Sequence, residues 1–169
     1  MIDSYGIELI HPIREGRSPN QLGRKGKSNK RWIVGVKVCW LLNACAEVVA
    51  WDWITANQHD QVFRPLAHQF EGQTITLCDN GFRKKAQPLL NLKPCAHKSW
   101  PERMVIERVF AALTAAFAAK RLFHRRPPPL QAHCAYLAAA FNLFIAMARC
   151  ALPLASADQL IGWVHSLPF

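Results

Sequence analysis

Apolar and polar positions change period several times along the chain, and each change predicts an element. Trp32, Val34, Val36, Val38, Trp40 and Leu42 alternate with a more mixed set that includes Gly35 and Lys37, which predicts a strand with one strongly apolar face. After a polar turn around Asn43, residues 47–55 carry Val48, Val49, Trp51 and Trp53 and predict its antiparallel partner. Residues 2–10 predict a further strand, and 74–78 a short buried one that ends in the turn formers Asp79, Asn80 and Gly81. Helical spacing of Phe63, Leu66, Ala67 and Phe70 predicts a helix over 61–70, with an N-cap among residues 57–60.

The second half reads mainly as helix. Residues 83–90 predict a poor helix interrupted by Pro88, and 92–96 another strand. Ser99, Trp100, Pro101 and Glu102 have the pattern of a capping box with proline in the first turn, opening a helix rich in Ala, Leu and Phe to about residue 122. Pro127, Pro128 and Pro129 stop it, and a second Ala-rich helix is expected over about 130–149. Strands first, then alternating helix and strand, then two long helices predict a mixed α/β domain over 1–150, with helices packed on a central sheet. Residues 151–169 read as a tail.

With 169 residues and a 51% hydrophobic fraction, the chain can bury one sizeable core. Its 21 Lys and Arg against 11 Asp and Glu give a formal charge of +10, which favours an anionic partner such as DNA, RNA or an acidic membrane. Arg14, Arg17, Arg24, Lys25, Lys27, Lys30 and Arg31 concentrate in the stretch 11–31, which is rich in Gly, Pro and Ser and predicts a loop. Such a loop either neutralises several phosphates, giving sequence-independent affinity, or is a solvated linker. Gly26, Lys27 and Ser28 imitate the end of a Walker A loop, but Gln21 occupies the place of its first glycine.

The six cysteines form no CxxC pair and mostly stand in apolar runs, so reduced thiols and a cytoplasmic setting are expected. A zinc site on Cys95, His97 and distant histidines would lack the spacing of a zinc module. Residues 1–9 carry Asp3 and Glu8 and do not read as a secretory signal. The longest uncharged apolar run, 134–148, is shorter than the ~20 residues of a spanning helix and contains Asn142. It predicts a buried helix, and no membrane association is expected.

Three carboxylates stand out: Asp3 within I-D-S, Asp79 within L-C-D-N-G-F, and Glu107 within R-M-V-I-E-R-V-F. Hard oxygen ligands from separate elements can hold two Mg²⁺ ions about 3.5–4 Å apart, one activating an attacking oxygen and the other the leaving one. Each carboxylate also has a plainer role: a solvated residue for Asp3, a turn former for Asp79, a helix ion pair with Arg103 for Glu107. On a continuous helix Arg103, Glu107, Thr114 and Arg121 project within about 40° of one another. That stripe either suits a phosphate backbone, which Arg grips bidentately, or simply faces solvent.

Over roughly residues 2–147 these motifs resemble the catalytic domain of DDE transposases from bacterial insertion sequences. Ile2, Asp3 and Ser4 match the family's first-strand motif, and Asp79, Asn80, Gly81 and Phe82 its second. Thr55, Asn57 and Asp60 approximate a T-x-x-N-x-x-D pattern, although Thr55 stands only two residues from Asn57. Trp100, Arg103 and Glu107 keep the spacing of the third motif, whose Lys position holds Thr114. Only 27 residues separate Asp79 from Glu107, which leaves no room for an inserted subdomain.

The resemblance implies an RNase H-like fold and a DNA transposase performing metal-dependent strand cleavage and transfer at insertion-sequence ends. Asp3, Asp79 and Glu107 would be both the catalytic residues and the ligands of Mg²⁺ or Mn²⁺. Arg24, Lys25, Lys27, Lys30, Arg31, Arg103 and Arg121 would contact double-stranded DNA, both transposon ends and target. Family members carry a helical DNA-binding segment before the first Asp, so a truncated chain, a homodimer or an upstream-encoded N-terminal half is expected, at the nucleoid. The alternative is an inactive, DNA-binding remnant of a transposase.

Overall fold

The computed structural model describes residues 1–28, 31–83, 88–95, 103–124 and 126–167, Arg103 by its backbone. Among the described residues, six strands and four α-helices form a mixed α/β arrangement: β1 (Ile2–Ile10), β2 (Arg24–Ser28), β3 (Arg31–Leu42), β4 (Val48–Thr55), α1 (Arg64–His68), β5 (Thr76–Cys78), β6 (Leu92–Pro94), α2 (Arg103–Phe117), α3 (Pro127–Ala151) and α4 (Ala157–His165). The twelve-residue β3 is the organiser of the main sheet. Antiparallel β1 lies along one side of it, from Ile2 opposite Leu41 to Ile10 opposite Val34. Antiparallel β4 and β2 share the other side, β4 against residues 36–42 and β2 against 31–35. The short strands β5 and β6 pair in parallel.

Both faces of β3 are covered, which is why its sequence shows so little polar alternation. Val36, Val38, Trp40 and Leu42 enter a core with Tyr5 and Ile7 of β1 and the buried faces of α2, α3 and α4. Cys39 and Leu41, one residue out of phase, point to the other side and meet Ile2, Ile54, Phe63, Leu66, Cys78 and Phe82. Trp40 is fully buried, and Trp51 and Trp53 pack against the first core, whereas Trp32 is 61% exposed.

Several elements depart from the sequence reading. The basic stretch 11–31 is not a loop throughout: it contains a short 3-10 turn at Pro12–Arg14 and the strand β2. β2 has no apolar alternation, because its fit is set by glycine: a Cβ on Gly26 would overlap the Ala56 carbonyl. The helix expected over 61–70 divides into a 3-10 turn, Asp60–Phe63, and the five-residue α1.

α2 stops at Phe117 rather than near residue 122, because Ala118 turns left-handed (φ 50°) and the Ala119 N–H bonds back to Leu113 O at 3.1 Å. α3 starts with the prolines instead of after them, since a first-turn residue needs no N–H and proline's φ already suits the helix. At 25 residues it is long and apolar enough to cross a membrane by length and composition, yet seven of its side chains are buried against its neighbours. The expected tail contains α4, opened by a Ser156–Gln159 capping box, whose Leu160, Ile161 and Val164 join the main core. The capping box at 99–102, residues 84–87 of the weak helix expected over 83–90, and Lys30, His97 and Trp100 lie outside the described residues.

Candidate carboxylate site and basic hairpin

Asp3 sits near the start of β1, opposite Trp40 of β3, and its carboxylate accepts the Ser4 N–H at 2.8 Å. By the pleat of β1 it shares the helix-covered face with Tyr5 and Ile7. Ser4 points the other way, and its hydroxyl donates to Asp60 at 3.0 Å.

Asp60 and Asp79 share the spacing D-x-x-F but sit differently: Asp60 is the first residue of a 3-10 turn that His59 caps, and Asp79 is itself the cap of the next one. Each turn ends in a buried phenylalanine, Phe63 in D-Q-V-F and Phe82 in D-N-G-F. The two rings belong to one apolar cluster, so burying them brings the two acidic ends together. Asp79 caps its turn by accepting the Gly81 N–H at 2.8 Å. A Cβ on Gly81 would stand 2.9 Å from Asp79 Oδ1 and 3.3 Å from Asp60 Oδ2, so glycine leaves the space that both carboxylates flank.

Lys37 of β3 supplies the counter-charge. Its ammonium donates to Asp60 Oδ1 at 3.1 Å and to the Gln58 carbonyl at 3.0 Å. The side chains of this pair are only 13% and 23% exposed, so water screens it poorly. The Lys37–Asp60 pair was hidden from sequence reasoning because Lys37 reads merely as a polar member of an alternating strand; the repeated D-x-x-F spacing was the available signal.

Beneath these groups lies the buried Cys39 thiol. Burial pushes its pKa well above the usual thiol value, and the negative charges of Asp3, Asp60, Asp52 and Asp79 push it further in the same direction. Four aspartates from β1, β4 and two turns therefore act on one buried atom.

Glu107 is exposed on α2. One turn further on, Phe110 packs edge-on against Tyr5 with ring centroids 4.8 Å apart, which lays this part of α2 over the face of β1 that carries Asp3. The Thr114 hydroxyl bonds back to Phe110 O at 2.7 Å. Arg121 lies beyond the helix end, so the stripe expected from Arg103 to Arg121 breaks off after Thr114. A cation nevertheless reaches this face: Lys120 Nζ stands 5.6 Å from the centre of the Tyr5 ring. Among the described residues, no three His, Cys, Asp or Glu side chains stand close enough to hold one metal ion. Asp3, Asp79 and Glu107 therefore do not form an assembled ligand set.

The basic residues cluster more plainly. Arg24, Lys25, Lys27 and Arg31 are exposed on the β2–β3 hairpin, and Lys25 Nζ stands 5.9 Å from the ring centre of the exposed Trp32. Arg31 also meets Glu8 at 3.6 Å, an exposed pair worth little. The hairpin folds back over the sheet, since Ile33 would lie 2.7 Å from a Cβ on Gly6. Cations and an aromatic face on one ribbon suit a phosphodiester chain. No family model, curated protein or solved structure matches this chain.

Proposed function

We propose that this chain is a DNA-binding domain of the DDE transposase type with an RNase H-like sheet, meant to cut and join DNA strands at insertion-sequence ends. The observation that carries the reading is the chain of contacts from Asp3 to Asp79: Ser4 bonds the carboxylates of Asp3 and Asp60, and Asp60 and Asp79 flank Gly81 together. An antiparallel group β1, β3, β4 followed by a parallel pair and a helix over the Asp3 face supports the fold. The basic hairpin supports double-stranded DNA as partner, through Arg24, Lys25, Lys27 and Arg31.

The donor chemistry suits Mg²⁺ or Mn²⁺, because carboxylate oxygens are hard ligands. Asp3, Asp79 and Glu107 would hold the ions, which would supply charge stabilisation at the reacting phosphate. Their present spacing does not form a shared ligand sphere. That spacing favours a second reading, a non-catalytic remnant that binds DNA without cutting it.

Nicking of supercoiled DNA in Mg²⁺ or Mn²⁺ separates the two. The transposase reading expects cleavage by the wild type and loss by orders of magnitude in Glu107→Gln, with melting almost unchanged. DNA binding without any cleavage selects the remnant, and cleavage equal in wild type and Glu107→Gln removes Glu107 from the site.

A further inference from the structure

α3 buries one face and leaves the opposite one bare. Ala132, Tyr136, Ala139, Leu143, Ala146 and Cys150 are all exposed, and Tyr136 and Leu143 reach 77% and 60%. They recur at alternating steps of four and three residues, so on a helix they project within about 40° of one line. Met147, 48% exposed, widens the stripe. No charged side chain lies on it: Arg149, at the flank, is turned to Glu47 at 2.8 Å. An outer helix face normally carries charge, and a four-three apolar seam is the pattern of a helix covered by another helix.

The order of sizes identifies the occupant. If a second copy of α3 lies antiparallel, with the two-fold axis level with residue 141, Tyr136 faces Ala146, Leu143 faces Ala139, and Cys150 faces Ala132. Every larger side chain then meets an alanine of the partner, and both halves of the seam satisfy the same rule. A parallel pair would instead stack Tyr136 on Tyr136 and leave alanine against alanine. Self-complementarity about a two-fold axis is what a closed dimer interface requires.

We infer that the exposed seam of α3 is a homodimer interface, in which two copies of the helix pack antiparallel about residue 141. The inference does not rest on the chemistry proposed above. The seam is about 27 Å long, at the small end for a stable interface, so dissociation in the micromolar range is expected.

The test combines sedimentation of the full chain with cysteine crosslinking. Wild type should sediment as a concentration-dependent dimer. Leu143→Glu should sediment as a monomer with the same circular dichroism, since Leu143 touches solvent in the single copy. Ala132→Cys, treated with a mild oxidant, should give a covalent dimer whose linked peptides contain positions 132 and 150, and adding Cys150→Ser should abolish it. A wild type that remains monomeric at all concentrations, a Leu143→Glu variant that still dimerises, or a wild-type crosslink between two copies of Cys150 would overturn the proposal. So would flotation of wild type with phosphatidylcholine vesicles, which would mean that lipid covers this face.

Discussion

The side chain of Asn142, in the middle of α3, acts as a strand partner for Val48 at the start of β4. Its carbonyl oxygen accepts the Val48 N–H at 2.8 Å, and its amide donates to the Val48 carbonyl at 2.8 Å. The two residues are 94 positions apart. One primary amide thus satisfies both backbone groups of a strand residue just beyond a register shift, where ladder bonding is interrupted.

Asn142→Leu should therefore lower stability, because it leaves two partly buried backbone groups unpaired while keeping the apolar bulk. Two net hydrogen bonds are worth about 1–3 kcal/mol, which is several degrees of melting temperature for a domain of this size. Asn142→Asp should also destabilise, since a carboxylate accepts but cannot donate to the carbonyl. Calorimetry of the two variants checks this; unchanged melting in both would show that the clamp contributes nothing.

Gly81→Ala separates folding from chemistry. The new Cβ meets the ends of two flexible carboxylates, which can swing aside, so stability should change by less than about 1 kcal/mol. Asp79 and Asp60 would be pushed apart. If metal-dependent nicking occurs in the wild type, it should fall by at least an order of magnitude in this variant.

The basic hairpin should dominate the salt dependence of DNA binding. Replacing Arg24, Lys25 and Lys27 together with Ala should reduce the slope of log affinity against log salt by about 0.9 for each phosphate that is no longer neutralised. Trp32→Ala should weaken binding with little change in slope, because stacking is not electrostatic. Fluorescence titrations over a salt series distinguish the two effects; equal slopes in wild type and the triple variant would remove β2 from the interface.

Cys39 should be chemically silent. Burial and the surrounding aspartates both oppose its ionisation, and the thiolate is the reactive form. Cys45 is exposed and should label rapidly with iodoacetamide in the native protein, whereas Cys39 should label only after unfolding. Peptide mass spectrometry reads both sites in one experiment.

The histidine pair at the α2–α3 connection adds a pH dependence. The rings of His124 and His133 are 5.1 Å apart, and burial, then the charge of His124, lower the His133 pKa from its usual 6.5. The unfolded chain therefore binds more protons than the folded one between the lowered value and 6.5, and stability rises with pH across that window. As pH falls through it, this contribution is lost. Urea unfolding between about pH 5 and 7 should show a smaller pH dependence in His133→Gln than in wild type.

How much of this was legible depended on whether the cause was local. β3 carries one continuous apolar face, β4 a run of Val and Trp, and α2 and α3 their own periodicity, so their existence followed from residues close in sequence. β2 did not, because its pairing depends on the backbone of Ala56 accepting Gly26 at close range. The end of α2 depends on one left-handed alanine, for which the sequence offers no marker. At the site, the D-N-G-F turn marked Asp79, but Lys37 joined the region only through the pairing of β1, β3 and the Asp60 turn. α4 was missed, since residues 151–169 read as a tail, although Ser156 and Gln159 have capping-box spacing like that of Ser99 and Glu102.

The main core joins Tyr5, Trp40 and Val164. During synthesis the apolar face of β3 emerges long before the helices that cover it. At a translation rate of about 5–20 residues per second, Trp40 waits roughly 6–25 s for Val164. A sheet bearing Val36, Val38 and Trp40 has no lid until α2 and α3 follow and only a partial one until α4 does, and chains released early would keep part of it bare. The nascent protein is therefore expected to lean on ribosome-bound chaperones, and a stop codon before α4 should yield aggregate rather than a smaller domain.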